Sequence, residues 1–224
     1  MLTMAGRRSE RWVAVIGDMV HSRELSARAR AAAQRDFTKL IALLNKRFRR
    51  GIASRFVITL GDEFQALLSD PAVIPEIVWV IETEYHQRDV RLGFGFGTLH
   101  TPIQKVAINI DGPVMHKARA AISLARSRRI LGGVFDGFGA YDEVLTGFAQ
   151  VLRQVRQRMT PRQREVVALL RAGKTQIQVA SALEISKQAV SGHASAAGSE
   201  AYRAAEEGWK VALGIATGKR SAKE

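Results

Sequence analysis

Val90-Arg-Leu-Gly-Phe-Gly-Phe-Gly97 constrains this chain more than any other stretch. The strict alternation is that of a β-strand, with Val90, Leu92, Phe94 and Phe96 on one face and Arg91, Gly93, Gly95 and Gly97 on the other. Glycines inside a strand contribute no side-chain packing. Their bare face must therefore serve something else, either a closely packed helix or an approaching ligand. Because the glycines alternate within a strand and do not open a helix, they are neither a Rossmann fingerprint nor a P-loop.

Periodicity supplies the elements around this strand. Trp12–Ile16 is a short β-branched run followed by Gly17-Asp18 and a turn. Ser26 caps a helical pattern to about Arg50, with Phe37, Leu40, Ile41, Leu44 and Phe48 on one face. Phe56–Leu60 and Phe64–Leu68 flank Gly61-Asp62-Glu63 and predict a β-hairpin. Pro71 and Pro75 open a helix to about His86, Asp111–Pro113 leads into another through about Arg126, and Ile130–Val134 is a candidate last strand. The order β-α-β-β-α-β predicts an α+β fold, a ferredoxin-like or palm sheet. We expect that domain to span residues 1–158 and an all-α helix-turn-helix domain to follow over residues 159–224.

Composition narrows the chemistry. The 224 residues contain no cysteine, which excludes disulfides, thiolate metal sites and cysteine nucleophiles. Formal net charge is +13, of which residues 1–150 carry +6 and residues 151–224 carry +7 in half the length. Such a balance favours a polyanionic partner. No apolar run approaches the roughly 18 residues of a spanning helix. The N-terminus lacks the apolar stretch of a signal peptide. The expectation is a cytoplasmic protein without a membrane partner.

Two carboxylates fall at strand ends, each beside a glycine: Gly17-Asp18 and Gly61-Asp62. In a palm sheet the strands they follow are neighbours, so the carboxylates would converge. Oxygen ligands of that kind suit Mg²⁺ or Mn²⁺, and the glycines would let a triphosphate approach the backbone. Glu63 would be a third ligand or a solvated turn residue. The plainer reading is turn chemistry for Gly61-Asp62 and helix capping for Asp18. Arg119, one helical turn past Asp111-Gly-Pro, is either a phosphate contact or a surface salt-bridge partner. The five histidines show no metal-ligand spacing.

Val13-Ala-Val-Ile-Gly-Asp-Met-Val-His-Ser-Arg23, Thr59-Leu-Gly-Asp-Glu-Phe-Gln65, Arg91–Gly97 and Asp111-Gly-Pro-Val-Met-His-Lys-Ala-Arg119 together resemble the bacterial SatD family, as do the C-terminal helices. More distantly, the same blocks are similar to class III nucleotide cyclases and, through Gly61-Asp-Glu-Phe64, to diguanylate cyclases. That resemblance implies a nucleotide-cyclase-like palm in which Asp18 and Asp62 hold metal ions and Arg119 stabilises transition-state phosphates. It also implies, by analogy, a homodimer. Met115 departs from it, standing where the cyclase helix carries Asn, and Leu60 replaces the second glycine of diguanylate cyclases. These departures favour nucleotide binding over turnover.

Beyond residue 158 the pattern is helical. Thr160-Pro161 starts a helix ending at Gly173, Thr175 caps a shorter one over Gln176–Leu183, and Ser186 caps a third beginning at Lys187. A short helix, a tight turn and a capped helix predict a helix-turn-helix. The spacing resembles sigma-factor region 4 and LuxR-type domains. That resemblance sends the helix from Lys187 into the major groove of double-stranded DNA, with Lys187, Gln188 and Ser191 at base edges and Thr175 and Gln176 near phosphates. The last helix, about Ser199–Leu213, carries Tyr202, Trp209, Val211 and Leu213, expected as a clamp on the palm or a dimer seam. The leading reading is a DNA-binding regulator whose palm binds a nucleotide and a divalent metal. Its rivals are an active cyclase or nucleotidyltransferase with a structural tail, and an interaction module with a degenerate palm.

Overall fold

The computed structural model describes residues 10–59 and 61–219. The five strands are β1 (Trp12–Met19), β2 (Ile52–Ile58), β3 (Glu63–Leu68), β4 (Val90–Gly97) and β5 (Val134–Asp136). They form one sheet in the order β2-β3-β1-β4-β5. All pairings are antiparallel except β4 with β5. The first four strands are the expected ferredoxin-like sheet, and β5 extends it. Helices α1 (Ala27–Arg47) and α2 (Ile74–Glu84) connect β1 to β2 and β3 to β4, and α3 (Pro113–Ser127) connects β4 to β5.

Three elements differ from the sequence expectation. Gly17 and Asp18 continue β1 instead of leaving it for a turn, because both pair with β3 and with β4. The hairpin's first strand begins at Ile52, four residues before the expected start. The last strand is Val134–Asp136 and not Ile130–Val134, since Gly132 and Gly133 both take positive φ, at 94° and 140°, and break the extended run. Leu60 lies outside the described residues.

The sheet has two buried faces. On one, Phe37, Leu40, Ile41 and Leu44 of α1 and Ile77, Val78 and Ile81 of α2 pack on Val13, Val15, Phe64, Ala66, Phe94 and Phe96. The α1 stripe is the one its 3.6-residue period predicted, and Ser26 caps the helix by accepting from the Ala29 amide. On the other face, Ala14, Ile16 and Leu67 meet Val114, Met115, Ala118 and Ile122 of α3. Here the glycines of β4 find their use. A Cβ built on Gly93 would lie 2.4 Å from the Ile122 amide nitrogen, and one on Gly95 2.2 Å from that of Ala118. Helix packing takes the bare face.

The remaining helices are α4 (Asp142–Arg158), α5 (Pro161–Arg171), α6 (Gln176–Leu183), α7 (Lys187–Ala196) and α8 (Ser199–Thr217). Helix α8 is a clamp on the palm: Tyr202, Trp209 and Leu213 are buried in the same core as the sheet, with Trp209 edge-on to Phe135 at 6.0 Å. Val211 points away and is 61% exposed. Buried arginines add polar ties. Arg156 donates through Nε to Glu82 at 2.7 Å and also bonds the Tyr202 hydroxyl, while Arg153 reaches Glu82 at 3.1 Å and Asp89 at 2.6 Å. Burial raises the Tyr202 hydroxyl well above its ordinary pKa, keeping it a neutral partner for Arg156. Arg171, at the end of α5, bonds Glu206 of α8 at 2.9 Å and Glu76 of α2 at 2.7 Å, and lies 4.0 Å over the Trp79 ring.

Gly95→Ala should destabilise the protein by about 1–3 kcal/mol or more, because the clashing atoms are helix backbone and cannot rotate aside. Gly147→Ala, facing open space within α4, should be neutral or mildly stabilising. Thermal midpoints for the two variants check this, and equal midpoints would mean α3 does not rest on β4 as described.

Candidate functional site

A row of charged side chains crosses the three central strands on the face that α3 covers. Asp18 is paired with Glu63 of β3 on one side and Arg91 of β4 on the other, so period-two alternation puts all three side chains on that face. Helix α3 places Arg119 and Arg126 above them, seven residues apart and hence on one helix side. Arg126 bridges the row: its Nε donates to Asp18 Oδ2 at 2.9 Å and its Nη2 to Glu63 Oε2 at 3.1 Å. Arg119 Nη1 lies 2.8 Å from both Glu63 oxygens, and Arg91 Nη1 lies 3.6 Å from Asp18 Oδ2. Burial alone would lower the Arg126 pKa, but hydrogen bonding and charge from Asp18, then Glu63, raise it above the ordinary value.

The expected residues thus divide. Asp18, Glu63 and Arg119 come together. The Asp62 carboxylate takes no part in these bonds: it accepts the Ser22 hydroxyl from the 3₁₀ turn Ser22–Glu24, and the Asp62 carbonyl accepts the Met19 amide at 2.9 Å. Gly17 lies on the opposite sheet face, where a Cβ would meet the Phe64 ring at 2.3 Å, so a core ring fills that space. Gly61 serves conformation, with φ at 77° in the hairpin turn. Met115 is buried with Ala107, Ile110 and Ile122 in an apolar cluster. No group of three or more His, Asp or Glu side chains is arranged to hold a metal among the described residues. One donor atom does fit a cation: Asp18 Oδ1 is buried without a hydrogen-bond partner. Arg126 and Arg91 were missed in the sequence. Arg91's place in the glycine-face parity of its strand was the available signal, and Arg126 had only its seven-residue spacing from Arg119.

The C-terminal helices form a second candidate surface. Val166, Val179, Val190 and Ala194 make their small core, with Ala180, Leu183 and Ile185 packed on it. Thr160 and Thr175 each complete a capping box, with Gln163 and Gln178, and Ser186 accepts from the Ala189 amide. These caps fix where α6 and α7 begin, and with them the exposed side chains of Lys187, Gln188 and Ser191 on α7. Thr175 is exposed but spends its hydroxyl on the cap, and Gln176 is half-buried. Ile177 is 67% exposed and is not part of the small core.

The charge row carries its own test. Arg126→Gln leaves Asp18 and Glu63 side by side without their bridging cation. Breaking a fully buried pair costs about 3–5 kcal/mol. The Arg126 side chain is 44% exposed, so solvent screening brings the expected loss to about 1–3 kcal/mol. Adding Glu63→Gln in the same chain should recover part of it by removing the like-charge contact. Denaturant midpoints of the single and double variants measure the coupling, and strict additivity would show the bridge to be inert.

Two families match separate stretches of the chain. Residues 157–197 match the family of bacterial regulatory proteins of the luxR type, spanning the three capped helices. The catalytic core of a rhodopsin-guanylyl cyclase with converted specificity, crystallised in complex with ATPαS, is 15% identical over 54% of this chain and 76% of that chain, with a TM-score of 0.38. No curated protein matches. Among the described residues no helix is long and apolar enough to cross a membrane. The SatD family matches residues 12–134, from the first strand through α3 to the start of β5 and across the whole charge row; the chain belongs to the SatD family.

Proposed function

We propose that the protein is a DNA-binding transcriptional regulator whose palm domain binds a nucleotide with a divalent metal. The DNA half rests on one observation, the luxR-type match over residues 157–197 falling on three capped helices that leave Lys187, Gln188 and Ser191 exposed. The helix α7 enters the major groove, with Lys187, Gln188 and Ser191 at base edges and Thr175 and Gln176 at the flanking backbone. Two copies would read two half-sites. The exposed Val144 and Val151 of α4 and Val211 and Ile215 of α8 are the apolar positions a second copy would cover. An antiparallel pairing would set the acidic first turn of α4, with exposed Glu143, against exposed Arg158 in its last.

In the palm, Asp18 Oδ1 is the donor that would hold Mg²⁺ or Mn²⁺, the Asp62 carboxylate would join it only by giving up the Ser22 hydroxyl, and the metal would supply charge neutralisation for phosphate oxygens. Arg119, 47% exposed, would turn from Glu63 to a phosphate. Binding is favoured over turnover, because the position that carries Asn in cyclases is the buried apolar Met115. A cyclase or nucleotidyltransferase reading would require another residue to orient the attacking hydroxyl.

In a duplex titration, replacing Lys187 and Gln188 together by Ala should erase sequence preference, at about 1–3 kcal/mol for each base edge no longer bonded. Sedimentation of the same complex should show two chains per site. Failure of the full-length wild type to bind duplex DNA would sink the regulator reading. For the palm, calorimetry with Mn²⁺ and ATP or GTP should give binding that Asp18→Asn abolishes. Unchanged nucleotide affinity in that variant would remove Asp18 from the site.

A further inference from the structure

We propose that the turn Lys46–Arg50, between α1 and β2 of the palm, is a second DNA contact that grips phosphates beside the helix-turn-helix. The inference rests on the DNA-binding reading above and extends it to a surface outside the luxR-type segment.

Lys46-Arg47-Phe48-Arg49-Arg50 places four cations in five positions. Phe48 is buried and anchors the turn, while all four cations are exposed. Basic residues in the last turn of a helix complement its dipole, which accounts for Lys46 and Arg47. It does not account for Arg49 and Arg50, which lie past the C-cap. Their backbone is held firmly: the Gly51 amide donates to the Phe48 carbonyl at 2.9 Å, and the Gly51 carbonyl accepts from the Ser69 amide at 3.0 Å and the Asp70 amide at 3.3 Å. The neighbouring acid, Asp70, spends Oδ1 on the Ala72 amide as an N-cap. Among the described residues, Arg47 pairs with Glu76, and Lys46, Arg49 and Arg50 have no carboxylate partner. The turn borders a shallow concavity shared with Val73.

Position makes this cluster more than a solvated face. Glu76 is a two-sided bridge: one oxygen takes Arg47 of the turn, and the other takes Arg171 at 2.7 Å. Arg171 ends α5 and stands four residues before Thr175, the N-cap of α6. The turn is therefore one side-chain bridge from the segment that leads to the phosphate-facing end of α6, where Lys174 is also exposed. Guanidinium groups match phosphate oxygens in a planar fork, and such contacts position a protein without reading sequence. Three unpaired cations on a fixed turn would lengthen the footprint by neighbouring phosphates and add affinity without base preference.

The test uses the full chain and a random-sequence 30-base-pair duplex, read by fluorescence anisotropy across a salt series. The triple variant Lys46→Gln, Arg49→Gln, Arg50→Gln should bind about tenfold or more weakly. Its log–log salt slope should fall by about 2–3, at ~0.9 for each phosphate no longer neutralised. Its thermal midpoint should move little, since no ion pair is broken and only Lys46 lies in the last turn of α1. Arg49→Lys with Arg50→Lys, which keeps the charge, should retain the slope. Wild-type affinity and slope in the triple variant, alongside weakened binding of Lys187→Ala/Gln188→Ala to its preferred duplex, would overturn this inference and leave the DNA reading intact. Absence of duplex binding by the wild type would overturn both. Loss of binding to phosphatidylserine vesicles with unchanged duplex binding would assign the turn to a different polyanion and overturn the proposal.

Discussion

The arrangement of the palm depends on how closely the α3 backbone can approach β4. Gly93, Gly95 and Gly97 offer no Cβ, so the helix backbone at Val114, Ala118 and Ile122 sits directly on the strand. Any larger residue at Gly93 or Gly95 would lift the helix, because the clashing atoms are main-chain. That approach fixes the height and rotation of α3, and so the reach of Arg119 and Arg126 to Glu63 and Asp18. The charge row is a consequence of glycine packing several residues away. A guanidinium between two carboxylates on adjacent strands then removes the like-charge repulsion that the sheet register would otherwise impose.

A second set of arginines determines how the C-terminal helices meet the palm. Arg153 and Arg156 project from α4 onto Glu82 and Asp89, and Arg171 carries α5 onto Glu76 and Glu206. Each is buried or nearly so, and each is compensated by carboxylates, a tyrosine hydroxyl or an aromatic face. Such pairs contribute little net stability, but removal of one partner leaves a buried charge exposed to its full desolvation cost. Their effect is orientational: α5, the helix that leads into the helix-turn-helix, is referenced to α2 of the palm through directional bonds. Tyr202, Trp209 and Leu213 of α8 supply the apolar share of the same junction.

Much of this was legible in local patterns. The α1 stripe, the alternation of β4 and the three helix caps at Thr160, Thr175 and Ser186 all follow from periodicity and side-chain-to-backbone bonding within a few residues. The site was legible only in part. Asp18 and Glu63 are found from their strand ends, and their partnership through Arg126 is not, because residues 108 and 63 positions apart in sequence meet only once α3 lies on the sheet. Asp62 was expected beside Asp18, yet its bond to Ser22 depends on the path of the loop after β1. No local signal encodes that path.

The sequence by itself therefore determined the ferredoxin-like order of elements, the helix-turn-helix and the capped starts of its helices, and the cationic balance of the chain, because these rest on periods of 2 and 3.6 residues, on caps and on composition. Only the tertiary structure decided which of two uses the glycine face serves, which carboxylates stand together, and whether α8 clamps the palm. Each of those is a choice among contacts between distant segments. Sterics at a helix–sheet contact and the pairing of buried charges make the choice, and neither is expressed until the chain is folded.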